Sequence, residues 1–202
     1  MKKIIIVLLL LSSFGFYRIA LAQSGIYITS ESGWATQSGL PAAGNAQAKS
    51  IEKSHFPVWR LGIGYLHDFN DKIGLGFEAA KGWYRGATYY LNAGGATDTY
   101  STTLEFLAVI AWHQQPLDFF VKLGGIRHTL SGFSSLSGNS DASETKIQPE
   151  VTAGINYNLN EHFALTSEYL HSFGGNMSGF VGNQLQCPSI NAVLVGIRIA
   201  FW

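Results

Sequence analysis

A single cysteine, Cys187, stands in 202 residues, so no intrachain disulfide can form and stability must come from packing and backbone pairing. Charge is equally scarce. Asp, Glu, Lys and Arg together make up 13% of the chain, about half of what a typical globular domain carries. Basic clusters are missing, which excludes a strongly basic nucleic-acid binder. No apolar run is long enough to cross a bilayer as a helix: Ile4 to Leu11 falls well short of the about 20 residues needed. No composition break or linker divides the chain, and its helix formers show no helical period. His67, His113 and His162 fall on separate segments without an H-x-x-x-H spacing, so no metal site is expected. A phosphate-cradling glycine loop is missing too, because the paired glycines alternate within strand-like stretches. No cofactor is implied.

What is present begins with a leader. Lys2 and Lys3 precede the apolar run, and Ala20-Leu21-Ala22 makes a small-x-small cleavage site before Gln23, the pattern of a secretory signal peptide over residues 1–22. Lys2, Lys3 and Arg18 fall in it, so 13 − 3 leaves 10 basic residues against 13 acidic ones, a net charge near −3 for a single domain over residues 23–202.

The last stretch, Ile190 to Trp202, shows the organising pattern. Val193, Val195, Ile197, Ile199 and Phe201 share one parity, and Leu194, Gly196, Arg198 and Ala200 the other. A strand turns successive side chains to opposite faces, so one face is apolar and the other small with one charge. The same alternation predicts strands over Gly25–Gln37, Phe56–Phe69, Lys72–Arg85, Thr102–His113, Leu117–Thr129, Ile147–Leu159 and His162–Phe173. Long polar or small-residue loops separate them at 38–55, 86–101, 130–146 and 174–189. Short turns alternate with these at Asn70-Asp71, Gln114-Gln115-Pro116 and Asn160-Glu161. Eight strands with short turns at one end and long loops at the other form the outer-membrane barrel pattern, with both chain ends on the periplasmic side.

Charge decides which face is inside. Every predicted strand places a charged residue on its non-apolar parity: Glu31, Arg60, Glu78, Glu105, Lys122, Glu150, Glu168 and Arg198. Most lie mid-strand. Such charges cannot sit unpaired in an apolar core, and a cation facing lipid at the midplane costs about 2–4 kcal/mol. A polar lumen, where five carboxylates and three cations pair across the axis, accommodates all of them. Gly62, Gly64, Gly74, Gly76, Gly124, Gly154 and Gly196 share that parity and leave room for the long side chains. An eight-stranded barrel is just wide enough for side chains to fill, so the lumen is expected to be plugged. The fold class is therefore all-β, an eight-stranded antiparallel up-and-down transmembrane barrel with a polar, side-chain-filled lumen. Two aromatic girdles are expected: Trp112, Tyr157, Phe163 and Phe201 near the short turns, and Trp34, Trp59, Trp83 and Phe173 near the long loops.

In this pattern, and in its aromatic terminus, the chain resembles the small eight-stranded outer-membrane barrels: the OmpA-like transmembrane domain and its OmpX-like relatives. The resemblance covers the whole of residues 23–202 and includes no catalytic motif. It implies an outer membrane of Gram-negative type and contact with outer-membrane lipids and lipopolysaccharide. It also implies delivery by the barrel assembly machinery and loops open to a host or envelope partner, in a monomer. Phe201 holds the lipid-facing parity at the terminus, and Trp202 is one residue beyond it. The peptidoglycan-binding domain of full-length OmpA has no counterpart, so no cell-wall tether is expected.

Two rival readings remain. Some barrels of this size are enzymes that deacylate or palmitoylate lipid A, using His and Ser near the loop rim. Here His55, His128 with Ser131, and His171 with Ser172 are the candidates, but both pairs have opposite parity and cannot act as base and nucleophile. These histidines are expected at the rim, and no catalytic residue is assigned. Gly33-Trp34 resembles a lipocalin start, but a soluble periplasmic carrier requires an apolar interior, contrary to the eight charges.

Overall fold

The computed structural model describes residues 24–38, 42–43, 46–53, 55–91, 96–98, 100–131, 143–177 and 185–201. The expected signal peptide and Trp202 lie outside the described residues. Numbered along the chain, the first strands are β1 (Gly25–Ser38), β2 (Ala42–Ala43), β3 (Ala46–Lys53), β4 (His55–Asn70), β5 (Ile73–Tyr84), β6 (Thr88–Leu91) and β7 (Ala96–Asp98). They continue as β8 (Tyr100–Gln114), β9 (Leu117–Ser131), β10 (Ser143–Asn158), β11 (Phe163–Ser172), β12 (Gly175–Met177), β13 (Leu185–Cys187) and β14 (Ser189–Phe201).

Eight of these close into one barrel in the order β1-β14-β11-β10-β9-β8-β5-β4, and β4 returns to β1. Every neighbouring pair is antiparallel. The closing strands meet in register, with Thr29 opposite Arg198 on β14 and opposite Gly62 on β4. Closure leaves no unpaired edge, the condition for a sheet to exist in hydrocarbon.

The short connections rest on local hydrogen bonding. Asn70 Oδ1 accepts from the backbone N–H groups of Lys72 and Ile73, each at 2.9 Å. Asn160 Oδ1 repeats the device with His162 and Phe163, at 2.8 and 2.9 Å. An asparagine side chain imitates a backbone turn in this way.

The long connections differ from the sequence expectation. Residues 38–55 and 86–101 were expected as loops, but β2, β3, β6 and β7 pair into a four-stranded sheet outside the barrel. Likewise β12 and β13 pair within 174–189. Alternation reports a strand with one buried face, and strands standing clear of the barrel need no such pattern. For the same reason β10 reaches 16 residues and begins at Ser143, four residues before its apolar alternation.

Burial runs opposite to that of a soluble sandwich. Along β8, Leu104, Phe106, Ile110 and Trp112 are exposed, whereas Thr103, Glu105, Leu107 and Val109 are buried. Arg60 is 0% exposed and Phe106 is 63% exposed. The interior is layered rather than uniformly polar. Phe56, Val58, Tyr84, Leu170, Ile190 and Leu194 form an apolar layer toward the long loops. Tyr27, Leu66, Val109, Ala111, Phe120 and Ala200 form another toward the short turns. Ionised groups fill the level between.

Candidate functional site

The inward faces of six strands bring their charges together at mid-barrel. Arg60 on β4 is the centre. Its Nε donates to Glu105 Oε2 at 2.7 Å and Nη1 to Glu31 Oε2 at 2.7 Å, while Nη2 donates to Glu78 Oε1 at 2.5 Å. Glu168 Oε1 stands 3.4 Å from Nη1. Lys122 on β9 completes the group, donating to Glu78 Oε1 at 2.9 Å and Glu168 Oε2 at 2.8 Å. A planar guanidinium presents its donors in a rigid fork, which suits it to several carboxylates at once. Tyr27 Oη donates to Glu78 Oε2 at 3.0 Å, and Thr103 Oγ1 to Glu105 Oε1 at 2.7 Å.

Two of the eight sequence-derived residues stand apart. Glu150 is 1% exposed and has no ion pair among the described residues; the Thr152 hydroxyl approaches it at 3.4 Å. Thr152, not Glu150, lies opposite Lys122 in the ladder, which lifts Glu150 one inward position toward the loops. Arg198 lies one inward position below Gly196, the partner of Glu31, and its guanidinium stacks on the Tyr27 ring, 4.2 Å from the centroid. The expected three-cation network is therefore a two-cation network, because ladder register sets each charge at its own height.

A second cluster escaped the sequence reading. At the short-turn rim, His113 Nε2 lies 3.0 Å from Asp68 Oδ1, and His113 Nδ1 lies 3.0 Å from Asp118 Oδ1. Asn158 Nδ2 donates to Asp118 Oδ2 at 2.9 Å. Parity placed Asp118 inward, but nothing in the sequence shows that β4, β8, β9 and β10 meet there. His113 and Asp118 pair one residue past the Trp112–Phe119 row, at the short-turn end of the apolar exterior band. Its hydrogen bonds to Asp118 and then Asp68 raise the His113 pKa to about 9. The stability this charged histidine contributes is full below pH ~6.5, the ordinary histidine value, and is lost as pH rises through about 9. Wild type is thus expected to unfold at higher urea than His113→Gln at pH 6, with the difference vanishing by pH ~10; parallel curves across that range would refute it.

The histidine candidates for lipid chemistry are dispersed. His128 was expected at the rim but is 0% exposed and turned into the lumen, where Nδ1 meets Gln148 Oε1 at 3.1 Å. Alternation along β9 directs it there, and Ser131, three residues on, has the opposite parity. His171 Nδ1 bonds Asn191 Oδ1 at 2.7 Å, while Ser172 is fully buried on the other face. His55 is exposed at the start of β4. Neither His128 with Ser131 nor His171 with Ser172 shares a face. Among the described residues, no group of three or more His, Cys, Asp or Glu side chains is arranged to hold a metal ion.

The aromatics form two belts. Trp59 and Trp83 are paired across β4 and β5 and stack at 5.2 Å near the long loops, where Trp34 is 71% exposed. Trp112 and Phe119 pack at 6.2 Å near the short turns. Amphipathic rings at two levels around an apolar band are the mark of bilayer interfaces.

No protein-family model matches the chain, and no curated protein matches it. Solved structures do. Neisserial surface protein A shares 18% identity over 88% of this chain and 98% of its own, with a TM-score of 0.59. The outer membrane protein OprG of Pseudomonas aeruginosa shares 15% over 91% and 99%, with a TM-score of 0.56. Ail, the attachment invasion locus protein of Yersinia pestis, shares 14% over 89% and 100%, with a TM-score of 0.50. Closed by eight antiparallel strands, apolar without and ionic within, this chain has the fold of the small outer-membrane β-barrels.

Proposed function

We propose that this chain is an integral outer-membrane protein of a Gram-negative-type cell, a structural barrel that holds extended loops above the surface. Envelope integrity or surface adhesion is its role, rather than wide-pore transport or lipid chemistry. Residues 1–22 direct export and are removed, and the barrel assembly machinery receives the aromatic terminus. One observation carries the reading: Arg60, Glu31, Glu78, Glu105 and Glu168 share a lumen from which water is excluded, while Ile63, Phe77, Phe106 and Val195 coat the outside. Only a surrounding hydrocarbon makes such an exterior favourable.

The same packing supports a closed lumen. Below the charged level, a cavity of about 20 Å³ lined by Tyr27, Phe120, Lys122 and Arg198 has room for about one water molecule. Against lipid A modification, His171 and Ser172 face opposite sides and His128 is bonded to Gln148 inside. For a surface-binding role, the paired strands β2, β3, β6 and β7 give two of the long connections a sheet that a partner can grip.

The test is gel migration with and without boiling after refolding into detergent, followed by recording in planar bilayers. A heat-modifiable band and a flat current trace are expected. Large stable conductance steps would overturn the closed barrel, and recovery in a soluble periplasmic extract would overturn the membrane reading.

A further inference from the structure

The lipid-facing surface carries two cations in one ladder row, and nothing in the lumen or the rim explains them. Lys81 on β5 and Arg127 on β9 are both exposed on the outward parity, and ladder register joins them through Leu104 of β8. Their height follows from the same ladders. Ile73, Trp112 and Phe119 are in register at the short-turn girdle, and Lys81 and Arg127 each lie eight residues further along their strands. At about 3.3 Å per residue and a tilt of about 40°, that is a rise of about 20 Å. The apolar band of such barrels is about 25 Å tall, so eight residues carry each strand most of the way across it, and long cationic side chains extend from there toward the outer-leaflet interface. The Trp59–Trp83 stack lies just above, and Lys81 Nζ sits 5.2 Å from the Trp83 ring centroid.

Two strand spacings separate the cations, about 10 Å between backbones, and two long side chains can close that distance over Leu104. Among the described residues, no Asp or Glu lies on the outward face beside them, and neither cation has an ion pair. One residue pair higher, Thr102, Thr129 and Thr145 form a cross-strand row, with Thr129 Oγ1 3.1 Å from Thr145 Oγ1. Hydroxyl donors thus border two cations, with an apolar floor of Leu104 and Phe106 beneath. A cation facing lipid is costly unless an anion meets it.

We infer that Lys81 and Arg127 clamp the phosphate of an outer-leaflet lipid over Leu104, with its acyl chains lying against Leu104 and Phe106. The site takes a phosphorylated lipid headgroup of the lipid A type, and it rests on the membrane placement proposed above. Complementarity of charge selects that occupant: two unneutralised cations at headgroup height match an anionic phosphate.

The experiment uses the full barrel refolded into phosphatidylcholine nanodiscs doped with either bis-phosphorylated or dephosphorylated lipid A. Lipid retained through affinity purification is counted by mass spectrometry. Wild type is expected to retain the phosphorylated form, and Lys81→Gln/Arg127→Gln to retain about 30-fold less, which is two cations at about 1 kcal/mol each. Lys72→Gln, at the opposite rim, is expected to match wild type, and 10 mM inorganic phosphate to leave the bound lipid in place. Equal retention by wild type and the double variant would overturn the site, as would equal retention of the two lipids or displacement by free phosphate. Heat-modifiable migration is read on every sample. If wild type itself fails to enter the bilayer, the membrane placement has failed and the site with it; a folded double variant with unchanged retention removes the site alone.

Discussion

Replacing Arg60 by methionine is expected to cost about 3–5 kcal/mol of stability, the largest effect of any single lumen substitution. Arg60 is fully buried and satisfies Glu31, Glu78 and Glu105 through separate nitrogens, with Glu168 close by. Removing it leaves carboxylates facing one another in a space from which water is excluded. Breaking a buried ion cluster by deleting one partner typically costs this much, because the remaining charge is uncompensated. The intact cluster need not be worth as much against an apolar isostere, so the cost belongs to the disruption. Urea unfolding from lipid vesicles measures it. Arg60→Lys is expected to fall between, since an ammonium keeps the charge but loses the fork. Adding Glu105→Gln to Arg60→Met is expected to recover part of the loss, by removing one unpaired charge. An Arg60→Met barrel that unfolds with wild type would show that the cluster is not a structural centre.

Gly196→Ala is the second large effect, about 3 kcal/mol. Gly196 lies on β14 opposite Glu31, in the seam that closes the barrel. A Cβ there would strike the Ser30 carbonyl oxygen and stand 2.7 Å from Glu31 Cα. Those are backbone atoms of the paired strand, so no side-chain rotation relieves the clash; the seam itself must open. Gly125→Ala is the control, because its Cβ would meet only ordinary contacts, the nearest 3.7 Å away at the Gln148 carbonyl oxygen. The two variants are compared by urea unfolding and by heat-modifiable migration. Equal stability would show that the seam admits a methyl group without opening.

The sequence was most legible where burial is one-sided. Alternation through β14 and β8 separated lipid-facing from inward residues, and the inward charges followed with no knowledge of pairing. It was least legible outside the barrel, where β3 and β6 pair in stretches that show no apolar alternation in the chain. Inside, parity named Glu150 and Arg198 alongside the six residues that do form the cluster, because parity reports direction and carries no height. The rim cluster of Asp68, His113 and Asp118 was missed for a related cause: its members are separated by up to 50 residues and share only the barrel mouth.

Eight strands, their faces and the hydrocarbon they require were written into the order of apolar and polar residues, because a strand's two-residue period is a local property. Which carboxylates surround Arg60, why Arg198 turns to Tyr27, and which row brings Lys81 and Arg127 together were settled only when the barrel closed. Closure fixes the offset of each ladder against the next, and that offset sets the height at which residues distant in sequence face one another.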